Sequence, residues 1–300
     1  MSVKLNAIQF YTITKETLEK LALERGIDDL SCYYKLTDKL PEMPIAKYTG
    51  MSQIFAQLAF HAQNATMISS IVNFERNQNF LNKTLCNFNP EEFLKKYNKA
   101  DREKNVKNIV EDLRFKNNEG LKWDSSKSKP ENKDSIVKRY ANTLLDGALY
   151  LSQFKNRGDF LNDLLKHYKN KDFRKLISYF RGKVKHGFSI ALTCDFLKEF
   201  DLNFCDLAKP DIHIKDTLCV LNGYEDNYYS GAKKEFECIE NMQSLVMEIN
   251  ENLPTAEQIT VYQLDRMIWL ICSGRFFLHN TEDSKTQYLR FLKEKQNIII

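Results

Sequence analysis

FRKLISYFRGKVKHGFSIALTCDFLKEFDLNFCDLAKPDIHIKDTLCVL, residues 173–221, is the stretch whose reading decides the fold. Phe173, Leu176, Ile177 and Phe180 recur at three- and four-residue intervals, the spacing that gives an α-helix one apolar face. Ile190, Cys194 and Leu197 do the same for a second helix, and between the two faces Gly182 and Gly187 bracket a short basic turn. The order is therefore helix, tight hairpin and helix over about residues 173–200, then a short loop and a third helix. A hairpin between packed helices can aim its backbone N–H groups at a phosphate, where a helix N-terminus and lysines add favourable charge.

The same spacing continues on both sides. Ile54/Leu58, Met67/Ile68/Ile71/Val72, Val106/Ile109/Val110/Leu113 and Phe236/Ile239/Met242/Leu245/Val246/Ile249 each mark an amphipathic helix. Asn89-Pro90-Glu91-Glu92 supplies a cap, a first-turn proline and a cap-box acid, and Thr260 with Gln263 repeats the cap-box logic. No alternating, period-two run of any length breaks the series, so the expected fold class is all-α. Residues 117–135, which include Ser125-Ser126-Lys127-Ser128-Lys129-Pro130, are polar and poor in apolar side chains and read as a surface loop that Trp123 anchors to the core.

A chain of 300 residues, 43% apolar and 12% aromatic, can bury a substantial core as one large domain or two packed lobes. Its net charge of +4 permits nucleic-acid binding without demanding it. The cysteines, at 32, 86, 194, 205, 219, 238 and 272, form no Cys-x-x-Cys pair. That spacing points to a reducing compartment and fits neither a four-cysteine zinc site nor a compact iron–sulfur run, so no metal or cofactor is expected. The amino terminus lacks a signal-peptide core, and the most apolar stretch, MIWLICSGRFFL, is interrupted by charge and too short to span a bilayer. The expectation is a soluble, cytoplasmic protein with no membrane partner.

The hairpin and the segment after it resemble the helix-hairpin-helix DNA glycosylases. Their hairpin commonly reads leucine-proline-glycine-x-glycine ahead of a helix, and a catalytic aspartate follows in a segment like valine-aspartate-threonine-histidine-valine. Here Gly187 matches the second hairpin glycine, Ala191 the small residue four positions later, and Pro210-Asp211-Ile212-His213-Ile214 the aspartate segment; Lys185 stands at the first glycine. Residues 53–71, 89–97 and 104–113 resemble the family's earlier helices, so the likeness covers roughly residues 50–225.

The resemblance implies a two-lobed fold with an active-site cleft between the lobes: residues 1–50 and 226–300 as a terminal lobe, residues 51–225 as the glycosylase core. The helix carrying Leu264, Ile268 and Ile271 would pack beside the N-terminal helices. The implied partner of this nucleoid-associated monomer is double-stranded DNA carrying a damaged or modified base, which is flipped out of the stack. Asp211 is implied as the carboxylate that stabilises the cationic sugar and activates water. Lys183, Lys185, His186, Gly187, Ser189 and His213 would contact DNA, while His61, Gln63 and Asn64 would line the base pocket. Some family members attack the sugar with a lysine two residues after the second glycine. Ser189 occupies that position, which implies a monofunctional enzyme, although Lys183 and Lys185 leave a Schiff-base, lyase route open.

Each residue also has a structural reading. An aspartate at a helix start is often only an N-cap. His213 suits a hydrogen-bonded structural role, and His61, Gln63 and Asn64 suit a polar helix end. Phe188, Tyr179 and Trp269 are more often core than stacking platforms. Two other functions compete: a noncatalytic helix-hairpin-helix DNA-binding protein, which needs neither Asp211 nor a base pocket, and an all-α protein-interaction module.

Overall fold

The computed structural model describes residues 5–24, 50–64, 72–74, 76–98, 101–114, 120–121, 135–273 and 284–298. Residues 117–119 and 122–134 of the expected polar loop, Trp123 among them, lie outside that set, as do Met67, Ile68 and Ile71. Among the described residues the chain is all-α, with thirteen α-helices, no strand, and an isolated bridge between Arg114 and Leu121.

Two compact units divide the chain, one formed by Ile45–Phe200 and one by Met1–Pro44 with Asp201–Ile300. The terminal unit holds α1 (Ala7–Leu23), α10 (Ile212–Asn222), α11 (Ala232–Asn250), α12 (Val261–Cys272) and α13 (Ser284–Ile298). The internal unit holds α2 (Met51–Ala62), α3 (Gln78–Thr84), α4 (Pro90–Tyr97) and α5 (Arg102–Leu113). It continues with α6 (Ile136–Leu151), α7 (Arg157–His167), α8 (Phe173–Lys183) and α9 (Ile190–Phe200).

The sequence reading put the division near residue 225, whereas residues 201–225 group with the chain ends. Packing explains the difference. Helix α10 buries Ile214, Leu218 and Leu221 against α11, α12 and α13, so the segment carrying Asp211 belongs to the terminal core. Leu264, Ile268 and Ile271 of α12 join Phe10 and Ile13 of α1 in the same cluster.

Helix starts follow the capping logic of the sequence. Asn89 Oδ1 accepts from the Glu91 and Glu92 N–H groups at 3.0 and 3.1 Å, ahead of Pro90 in the first turn. Thr260 and Gln263 form a reciprocal capping box at α12. In the internal unit α2 and α6 pack closely, because Gly147 has no side chain to meet Leu58: a Cβ there would lie 2.8 Å from Leu58 Cδ2.

Candidate functional site

Residues 184–189 join α8 to α9, and buried side chains fix their conformation. Val184 and Phe188 are buried at either end, the Phe188 ring packing with Phe180 and Phe196. Arg181 Nε donates to the Phe188 carbonyl at 3.1 Å and closes the loop. Gly187 adopts φ +100°, and a Cβ there would come within 2.3 Å of Thr143 Oγ1 on α6, so the turn requires glycine twice over.

Asp146, also on α6 and buried, gathers the inner side of the hairpin. Its carboxylate accepts from the Lys185 N–H (3.1 Å), from His186 Nδ1 (2.7 Å) and from Arg102 Nη2 (2.7 Å). The Lys185 N–H is therefore turned inward and the half-exposed His186 ring is tied to Asp146, while the Lys183 and Lys185 side chains stand exposed. Lys183 Nζ lies 5.2 Å from the Tyr179 ring centroid. Ser189 is exposed and caps α9, its hydroxyl accepting from the Leu192 N–H at 3.2 Å. A cavity of 460 Å³ opens beside the hairpin, lined by Arg102, Lys183, Lys185 and His186 together with Asp146 and Tyr150. A larger groove of 1230 Å³ carries Arg102, Lys104, Lys107, Lys138 and Arg139 along α5 and α6.

Asp211 lies in the other unit, and it is the N-cap of α10. Oδ1 accepts from the His213 N–H (2.9 Å) and the Ile214 N–H (3.2 Å). Oδ2 accepts no hydrogen bond among the described residues and lies 4.0 Å from Lys209 Nζ, with 18% of the side chain exposed. Ile212, the next residue, is exposed. His213 contributes its backbone to the cap, and its Nδ1 is buried without a hydrogen-bond partner among the described residues. Burial pushes its pKa down against the opposing pull of Asp211.

The three residues expected to line a base pocket do not converge. Asn64 is exposed, and Gln63 is buried with its Oε1 accepting the Phe74 N–H at 2.9 Å. His61 is buried between α2 and α9, its Nε2 3.1 Å from Glu199 Oε2 and its Nδ1 3.4 Å from Asp195 Oδ2. Asp195 therefore faces the ring nitrogen across a buried gap that falls short of a well-aligned hydrogen bond. Gln57 Nε2 donates to Glu199 at 2.9 Å and stands 2.7 Å from the ring Nε2. That last contact suits a ring nitrogen that accepts, whereas the Glu199 contact suits one that donates. Burial opposes the ring's charge, but the carboxylates of Glu199 and Asp195 outweigh it and raise the pKa to about 9.

Tyr179 stacks on His167 with ring centroids 3.5 Å apart and donates to Asp163, and Trp269 packs partly buried against the terminal core. Among the described residues no cluster of His, Cys, Asp and Glu has the arrangement of a metal site, and no helix is long and apolar enough to cross a membrane. No family model, no curated protein and no solved structure matches the chain. The family resemblance therefore rests on the residues quoted for it. Sequence reading passed over Asp146 and Arg102, although a carboxylate between the buried Leu145 and Gly147 on α6 was a signal, since buried acids need partners.

Proposed function

We propose that the chain is a DNA glycosylase that flips out a damaged or modified base and hydrolyses its N-glycosidic bond. The internal unit grips duplex DNA through the hairpin, and Asp211 of the terminal unit serves the chemistry. The observation that carries DNA contact is the pair of exposed lysines, Lys183 and Lys185, around a Gly187 turn whose inner side is held by Asp146. Lysines on a rigid turn meet phosphates with little ordering cost, and the counterions they release make the affinity fall with salt.

At the sugar, the base departs with the bonding electron pair and takes up a proton from solvent water, and positive charge builds on the deoxyribose as in glycoside hydrolysis. Asp211 Oδ2, which no hydrogen bond occupies among the described residues, stabilises that charge. It accepts the proton of the attacking water as the water oxygen bonds to C1′. Ser189 stands where some family members carry an attacking lysine, and its hydroxyl accepts in a helix cap; this reading takes water as the nucleophile, with Lys183 and Lys185 as the lyase alternative.

The test is single-turnover base release from a panel of duplexes, each carrying one modified base, for wild type and Asp211→Asn. A binding titration and a thermal melt run beside it. Release slowed about a hundredfold or more with DNA affinity kept supports the reading. Near-normal release by the asparagine variant removes Asp211 from the mechanism.

One observation favours a second reading, a noncatalytic hairpin DNA-binding protein: capping α10 gives Asp211 a complete structural job. Salt-dependent binding with no base released from any duplex would establish that reading.

A further inference from the structure

We propose that Asp265 is a positioning residue for Asp211, holding from below the turn that carries it. The consequence for catalysis rests on the glycosylase reading. Residues 205–211 run between the short turn Leu202–Phe204 and α10 without regular structure, so their backbone groups need outside partners. The Cys205 carbonyl accepts the Tyr262 N–H at 2.8 Å, and the Asp206 carbonyl accepts Gln243 Nε2 at 2.9 Å. Lys209 donates its N–H to Asp265 Oδ2 at 2.5 Å. Pro210 has no N–H to give, and the Asp211 N–H folds back onto the Lys209 carbonyl at 2.7 Å, closing a three-residue turn. The Lys209 N–H is thus the last backbone donor before Asp211 that another helix holds, and its acceptor is a carboxylate on α12.

Asp265 is 3% exposed, between Leu264 and Ile268 of the terminal core, so its bond to the Lys209 N–H is held away from water and ties the base of the turn to α12. A turn fixed there keeps the backbone of Asp211 in register, so that Oδ1 stays on the α10 cap and Oδ2 keeps its aim.

The experiment compares wild type, Asp265→Ala and Asp265→Asn in the full chain by two readouts: single-turnover base release at saturating duplex DNA, and amide hydrogen exchange. The alanine variant is expected to release base roughly tenfold more slowly or worse, because small misplacements of a reacting group are costly. DNA affinity should be unchanged, and exchange should be faster at the Lys209, His213 and Ile214 amides. Asparagine keeps an acceptor and should restore most of both. If the alanine variant does not fold, Asp265→Glu, which keeps the charge and moves the acceptor by one methylene, carries the same expectation. A variant that lacks or displaces the acceptor and releases base at the wild-type rate, or whose three amides exchange as in wild type, overturns the proposal. If wild type releases no base from any duplex, the glycosylase reading fails by itself, and exchange at those three amides still decides whether Asp265 holds the turn.

Discussion

The hairpin and the Asp211 turn divide their labour differently. At the hairpin, Asp146 and Arg181 hold the backbone, while the side chains of Lys183 and Lys185 stand exposed and make no described hydrogen bond to it. At the Asp211 turn, one carboxylate would carry both tasks in the proposed reaction: Oδ1 serves the helix cap, and Oδ2 accepts no hydrogen bond among the described residues. Binding and stability can therefore be separated at the hairpin by choosing different residues. At Asp211 they can be separated only by choosing a substitution that spares the cap.

The largest expected effect exploits that difference. Asp211→Asn keeps an oxygen for the two N–H groups and should leave the melting temperature near that of wild type while base release falls about a hundredfold or more. Asp211→Ala should lose as much activity and, in addition, about 1 kcal/mol of stability through the missing cap. Equal destabilisation by both variants, read from denaturant midpoints, would mean that the cap depends on charge, and the comparison would break.

A second test concerns the internal unit away from the hairpin. His61 has a folded-state pKa of about 9 against an ordinary 6.5, so the stabilisation it gives is complete below pH 6.5 and fades as the pH rises to about 9. The loss across that window should be about 3 kcal/mol at most. Urea unfolding of wild type at the two ends of the window, set against His61→Gln, should show the decline in wild type and a flatter profile in the variant. A wild-type profile as flat as that of the variant would show the ring neutral throughout.

The helices and several caps were legible in sequence because their signals are local: Asn89 and Thr260 bond within three residues of themselves, and the apolar positions of α5 and α11 follow one period. The helix, hairpin, helix order of residues 173–200 was legible for the same reason. The ties that matter most to the candidate sites are long-range and polar. Asp146 is 39 residues from Lys185, and Asp265 is 56 residues from Lys209. No local pattern announces such a pairing, and a lone acid in an apolar helix says only that some partner exists. His61 misled for a related reason: its position at a helix end suggested a polar pocket, while its partners Asp195 and Glu199 arrive from α9.

Asp146→Ala comes next in size. It removes the acceptor of the Lys185 N–H, His186 and Arg102 together, but Arg102 and His186 are half exposed and water can take over part of their bonding. The cost should be about 2 kcal/mol of stability. Affinity for DNA should weaken as well, because the lysines then sit on a loosened turn. Retained affinity with lost stability would show that the hairpin binds without being rigid.

The smallest effect on stability, and the cleanest on binding, should come from Lys183→Ala with Lys185→Ala. Both side chains are exposed, and no described hydrogen bond of the hairpin uses either ammonium group, so the melt should move little. If each lysine neutralises one phosphate, the slope of log affinity against log salt should become shallower by about 0.9 per lysine, or about 1.8 for the pair. The weakening should be alike on all duplex sequences, because a phosphate contact carries no base information. Titrations at several salt concentrations, on duplexes with and without a modified base, measure both quantities at once. An unchanged slope would take the hairpin out of the interface and move attention to the groove that carries Lys104, Lys107, Lys138 and Arg139. A loss confined to one duplex would instead place these lysines beside the bases, which their point-charge chemistry does not favour.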